Sequence, residues 1–291
     1  MSKFENDFLN LIDSMFNLTD EQHKEIIKAY KGSLDNVLSI VAKLFMQYAV
    51  DGKLTLADLN KYNRLVSIEQ QIREEIKNLG GIETKHFNSI LTDIYKQSYY
   101  QSAFTLEMNT AAVIDFALLK PEFVKEAIAF NWSGVPFSER IWGNNDALVK
   151  ALRTELTQGI INGDSVDKMA RRIRKSFNTS VYNSQRLMRT ESARVISSAQ
   201  EKIYQESGVV QELIYTATLD NKTSEICRNR DGKRWKVDGP KRPKIPAHPN
   251  CRSCWIPAVS NYQPKKRKDN ETKGIVEYKN YEEWSKAKGI K

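Results

Sequence analysis

The chain has 291 residues, 40% of them apolar, 28% charged and 10% aromatic, which is enough apolar and aromatic mass for a packed core and excludes a wholly disordered polymer. Its net charge of +9 favours contact with a polyanion, nucleic acid first, although the same excess can serve solubility alone. The N-terminus lacks the basic and apolar regions of a secretory signal, the most apolar stretch (37–50) is broken by Lys43 and Gln47, and three cysteines make a poor disulfide framework, so neither secretion nor a membrane span is expected and synthesis in a reducing cytoplasm is the default.

From the N-terminus to about residue 208 the chain reads as helices. Thr19 and Gln22 form a capping-box pair ahead of a helix through Ile26, Ile27, Val37 and Leu44, with a point of weakness at Gly32. A second helical pattern spans about 55–79, and Gly80-Gly81 supplies its stop; a third, rich in tyrosine and phenylalanine, spans about 82–108. Pro121 suits the first turn of a short helix ending before Trp132. The turn chemistry of Trp132-Ser133-Gly134-Val135-Pro136 then marks a boundary, which divides the chain into a helical N-terminal region (1–132), a second domain (133–260) and a basic C-terminal tail (261–291).

In the second domain, Ser138 caps a helix to about Ile161, Asn162-Gly163 ends it, and Asp164 or Ser165 caps the next. That next helix sets Val166, Met169, Ala170, Ile173 and Phe177 on one face and Lys168, Arg171, Arg172 and Lys175 on the other, so one face packs while the other meets water or phosphate. A long helix from about 180 to 207 stops at Gly208. Strand-like runs follow at 209–219 and 255–259, separated by Asp231-Gly232 and a proline-rich basic loop. The fold class is therefore α+β: a mainly helical N-terminal two thirds, then a small β-containing module, then the tail.

All three cysteines and one of three histidines fall in that module, in the order Cys227, His248, Cys251, Cys254. Four sulfur or imidazole ligands can close a tetrahedron around a structural zinc and pin a loop too polar to build its own core. Reduced buried cysteines beside a histidine that bonds the turn are the alternative. Cysteine proteolysis has little support, because a single histidine lies nearby with no activating pattern.

The same segment is strongly cationic, with Arg228, Arg230, Lys233, Arg234, Lys241, Arg242 and Lys244, and the tail adds Lys265, Lys266, Arg267 and Lys268. These side chains suit double-stranded DNA without sequence preference, bound through phosphate and counterion release. Trp235 and Trp255, interleaved among them, are expected to pack a small core. The run Pro264-Lys265-Lys266-Arg267-Lys268 reads as a solvated tail that can touch DNA, not as a targeting signal.

Arg189 and Glu191 lie mid-helix, two positions and so about 200° apart, and cannot share a partner on one face. At least one looks inward, and both are expected to serve packing instead of catalysis.

The succession Leu187-Met-Arg-Thr-Glu-Ser-Ala-Arg194, Thr223-Ser-Glu-Ile-Cys-Arg-Asn-Arg-Asp-Gly232 and Pro246-Ala-His-Pro-Asn-Cys-Arg-Ser253 resembles the phage head-morphogenesis family typified by phage Mu protein F, over about 138–259. The resemblance implies a minor head component inside the virion, made in the host cytoplasm, without enzymatic activity. The implied partners are the portal protein, scaffold or major capsid protein, and packaged DNA. Many relatives carry a Cys-x-x-Cys pair before the Asp-Gly turn; here Ser224 stands at its first position, and Cys254 is the residue that restores the ligand count.

Two competing functions remain open. A zinc-bearing nuclease of the His-Asn-His type needs a histidine as general base, and His248 is already a candidate ligand. A free DNA-binding regulator would show a helix-turn-helix or repeated finger, and none is recognisable.

Overall fold

The computed structural model describes residues 3–60, 63–110, 114, 116–218 and 223–258, together with the short stretches 267–268 and 275–276. The described helices are α1 (Lys3–Tyr48), α2 (Leu56–Asn60), α3 (Arg64–Thr110), α4 (Pro121–Ala129), α5 (Phe137–Ile161), α6 (Val166–Glu206) and α7 (Glu225–Arg230). The strands are β1 (Glu212–Thr216), β2 (Arg234–Lys236), β3 (Cys254–Ala258) and a two-residue pair, β4 (Arg267–Lys268) with β5 (Ile275–Val276). No described helix is long and apolar enough to cross a membrane. The α+β class expected from the patterning is the class observed, with the sheet confined to the C-terminal part.

Several helix boundaries differ from expectation. Thr19 does not begin a helix: it sits inside α1, buried, with its hydroxyl donating to the Met15 carbonyl one turn back. Apolar positions Phe8, Leu11, Ile12 and Met15 already carry the helical period ahead of it, so the chain has no reason to restart there. Gly32 leaves α1 unbroken. The expected break between residues 177 and 180 is likewise absent, because 166–206 contains neither glycine nor proline and its serines turn inward, Ser180 meeting the Tyr30 hydroxyl at 3.4 Å.

Gly80-Gly81 does not end a helix either; α3 runs through both. The reason at Gly80 is space. A Cβ there would lie 2.7 Å from both Asn145 Nδ2 and Trp142 Cζ3, so only glycine lets α5 approach this closely. At Gly81 nothing lies within 4 Å. The two glycines should therefore respond with opposite signs to alanine: Gly80→Ala should destabilise by about 1–3 kcal/mol through overpacking, whereas Gly81→Ala should stabilise by roughly 0.5–1 kcal/mol through helix propensity. Urea unfolding of the two variants checks this. Equal effects would mean that α5 does not pack on Gly80.

Ser138 does not cap α5: the helix already begins at Phe137, with Pro136 at φ −56 as its N-cap and no side-chain cap bond, so Ser138 lies within the first turn. The punctuation farther on behaves as its residues dictate. Pro121 occupies the first turn of α4. Asn162 caps α5, with Gly163 at φ +61, and Ser165 accepts from the Lys168 amide at the start of α6. Gly208, at φ +67, follows the end of α6.

The chain forms two compact units. One comprises 22–88 and 131–188, and apart from a single Val50–Lys53 bridge its described elements are helices; its core includes Ile26, Tyr30, Val37, Ile72, Ile76, Phe87, Ile141, Leu152, Ile173 and Phe177. Within it the buried Tyr30 hydroxyl donates to Glu83 at 3.0 Å, and burial holds the Glu83 carboxyl above its ordinary range.

The other unit comprises 1–21, 89–130 and 189–291 and carries the five strands found among the described residues. Its main sheet is antiparallel with order β2-β1-β3, in register Leu213 opposite Trp235 and Pro257, and Tyr215 opposite Trp255. Leu213 and Tyr215 point to the buried side, where Tyr215, Trp235 and Trp255 meet edge to face at centroid distances of 5.1–6.2 Å. Both tryptophans thus pack, as expected. The Tyr204 hydroxyl of α6 donates to the Trp255 carbonyl at 3.2 Å and fastens the sheet to its helix.

Candidate metal centre and basic surface

Each candidate ligand is placed by local chemistry. Ser224 caps α7 by accepting from the Cys227 amide, and the following turn holds Cys227 buried. Gly232, at φ +72, reverses the chain; its amide donates to the Tyr215 carbonyl at 2.9 Å, so the turn is tied to β1. On the far side of the basic loop the Cys251 amide donates to the His248 carbonyl at 3.2 Å, closing a tight turn. Asn250 takes the left-handed conformation that this turn needs, at φ +64, and its amide donates to the Thr190 hydroxyl at 2.9 Å. Thr190 of the Arg-Thr-Glu segment thereby holds the His-Pro-Asn-Cys loop, two motifs far apart in the chain.

These placements bring three groups together. Cys227 Sγ lies 3.2 Å from His248 Nε2 and 3.8 Å from Cys251 Sγ, and the three ligand atoms all fall within 4.8 Å of one another. Zinc–sulfur bonds of about 2.3 Å and zinc–nitrogen bonds of about 2.0 Å imply tetrahedral edges of roughly 3.8 Å between sulfurs and roughly 3.5 Å between sulfur and nitrogen. The donor set and its spacing therefore fit a metal ion. His248 Nδ1 lies 2.8 Å from the Pro249 carbonyl and donates to it, which leaves the Nε2 lone pair facing the sulfurs.

Cys254 does not join this group. It begins β3, its backbone is paired with Thr216, and its thiol donates to the carbonyl of that same residue at 3.7 Å. Burial raises its pKa far above the ordinary thiol value. Burial also pushes the Cys227 thiol up, but hydrogen bonds with Ser224, Ser253, Tyr215 and His248 outweigh it and bring that thiol down to about 6. Cys251 is raised by burial. Of the four cysteine and histidine ligands expected from sequence, three converge. The part played by Tyr215, whose hydroxyl lies 3.2 Å from Cys227 Sγ, had no sequence signal beyond its place in a strand.

The expected phosphate-binding residues divide into exposed and engaged groups. Arg171, Lys175, Arg228, Lys233, Arg234, Lys241 and Lys244 have exposed side chains, and Arg234 lies 3.6 Å from Glu212. Arg230 stands over the Tyr215 ring. Lys168 and Arg172 converge on Asp164 at 2.6 and 2.8 Å, and Arg172 also pairs with Glu155, so both are largely neutralised. Arg242 is turned inward: its side chain is 13% exposed, pairs with Glu201 at 2.8 Å and covers the Trp255 ring. Lys265 and Lys266 lie outside the described residues, and for Arg267 and Lys268 only the backbone of β4 is described.

Arg189 and Glu191 face different surroundings. Arg189 makes a two-pronged contact with Asp20 at 3.0 and 2.9 Å, with both side chains 49% exposed. Glu191 is buried and pairs with the buried Arg194 at 2.8 Å. The same Arg194 guanidinium donates to the carbonyls of Ala127 and Ile128 at 2.7 and 2.9 Å and so satisfies the end of α4. Arg194 is the residue that inspection of the motif overlooked, although its i+3 spacing from Glu191 was visible.

The family described as Phage Mu protein F like protein matches residues 150–256. Over 293 aligned residues the chain is 25% identical to Minor head protein GP7 of Bacillus phage SPP1, covering 94% of both chains. It is 24% identical over 299 residues to the Enterococcus faecalis protein named NAD(+)--arginine ADP-ribosyltransferase EFV, covering 98% of this chain and 60% of that protein. No solved structure matches the chain.

Proposed function

On the premise that residues 150–256 are a phage Mu protein F-like segment, we propose that this chain is a minor head protein of a tailed bacteriophage, carried in the virion and working in head assembly. One observation carries the reading: likeness to the SPP1 minor head protein runs nearly end to end, 94% of each chain, and includes the helical part that precedes the matched segment. We assign 133–260 as the head-morphogenesis domain. Its partners are the portal protein, scaffold or major capsid protein, and double-stranded DNA bound without sequence preference. The chain is made in the host cytoplasm, and a structural zinc at Cys227, His248 and Cys251 pins the basic loop to the sheet.

No turnover is assigned. A nuclease needs a free histidine base, and His248 is engaged through both ring nitrogens, Nε2 toward Cys227 and Nδ1 toward Pro249. The match to the enterococcal transferase leaves two fifths of that protein without a counterpart here, and its named activity is not assigned to this chain. Incubation of the purified chain with plasmid and magnesium should leave the plasmid intact; nicking would favour the nuclease.

DNA binding should weaken steeply with salt. Neutralising Lys233, Lys241 and Lys244, all exposed, should make the slope of log K against log salt shallower by about 2.7 if each meets one phosphate. Arg242→Gln should instead lower stability and leave that slope unchanged. A sequence preference that survives high salt would contradict this part of the proposal.

A further inference from the structure

Resting on the metal reading above, we infer that the metal has only three protein ligands, Cys227, His248 and Cys251, and that its fourth position holds an exchangeable, solvent-derived ligand. Three neighbouring side chains that could close the tetrahedron are committed elsewhere; the buried Ser253 hydroxyl is one, hydrogen-bonded to the Cys227 and Cys251 sulfurs themselves. Cys254 is fixed by the ladder to Thr216, with its thiol on the Thr216 carbonyl. Ser224 spends its oxygen capping the Cys227 amide. Tyr215 approaches the sulfur of Cys227 itself, where a hydroxyl donates to the thiolate ligand and tunes it.

The group is also asymmetric in its access to water. Cys227 and Cys251 are buried, whereas His248 is half-exposed, so the solvent side of the centre is the histidine side. Three protein ligands with an open vertex are the arrangement of metal sites that exchange ligands, as distinct from the closed four-ligand sites that only brace a fold. The ligand class that fits the vertex is water or a small monodentate anion or thiolate.

The test is cobalt(II) reconstitution of the full reduced chain, followed by its absorption spectrum. Sulfur-to-cobalt charge transfer should be as strong in Cys254→Ser as in the parent and weaker in Cys251→Ser. Azide added to the parent should shift the visible bands in a saturable way, a readout that needs no variant to fold. A loss of charge transfer in Cys254→Ser, or a spectrum indifferent to azide, overturns the open vertex. Failure of the parent to bind cobalt or zinc at all overturns the metal reading beneath it. Neither outcome bears on the head-protein role, which is tested by presence in particles.

Discussion

Glu191→Ala is expected to destabilise the protein by about 3–5 kcal/mol, whereas Arg189→Ala, two residues away on the same helix, should cost less than about 1 kcal/mol. The difference is burial. Glu191 and Arg194 have side chains only 2% and 5% exposed, and removing the carboxylate strands a guanidinium in the interior beside the Ala127 and Ile128 carbonyls. A loss of this size is a large share of the total stability of an ordinary domain. Arg189 and Asp20 sit half in water, where the pair is screened and either partner can be solvated after the other is lost. Arg194→Ala should match Glu191→Ala, and the double variant should cost less than the sum, because the second change removes a charge already left unpaired. Denaturant midpoints of the four variants measure this. Equal costs at 189 and 191 would mean that the pair at 191 and 194 is not buried in solution.

Metal removal is expected to have the second large effect. At a free metal concentration 1,000 times its dissociation constant, binding to the folded state alone contributes about 4 kcal/mol, and Cys227→Ser or Cys251→Ser forfeits it. The loss should be local. The segment from α7 to β3 carries long loops in which Cys227, His248 and Cys251 converge, while the long helices carry buried apolar residues of their own. Chelator should therefore shift the emission of the Trp235 and Trp255 pair and open the loop to protease, with the helical circular dichroism retained. Zinc content measured on protein purified without added metal should approach one per chain. Substoichiometric zinc with unchanged tryptophan emission would leave three reduced cysteines beside a histidine that bonds its own turn.

Sequence patterning made the element types legible and left several boundaries illegible, for identifiable reasons. The class, the short helix opened by Pro121, and the stops at Asn162-Gly163 and Gly208 follow from local chemistry, and local chemistry decided them. Gly80-Gly81 and Thr19 carry stop and start signals by the same local rules, yet long-range packing overrides them: Trp142 and Asn145 occupy the space beside Gly80, and buried apolar residues precede Thr19. At the candidate site, clustering of cysteines and histidine marked the loop in which three of the four side chains converge. It could not tell that Cys254 belongs to a ladder, because strand pairing with Thr216 decides where that thiol goes. Nor could composition separate Arg242, held by Glu201 and Trp255, from its exposed lysine neighbours.

Mass spectrometry of purified particles tests the proposed place in the phage head. Virions and DNA-free proheads assembled from the phage genome that encodes this chain should both contain its peptides, at low copy relative to the major capsid protein. Their absence from both kinds of particle, with the chain abundant in the lysate, would contradict the account.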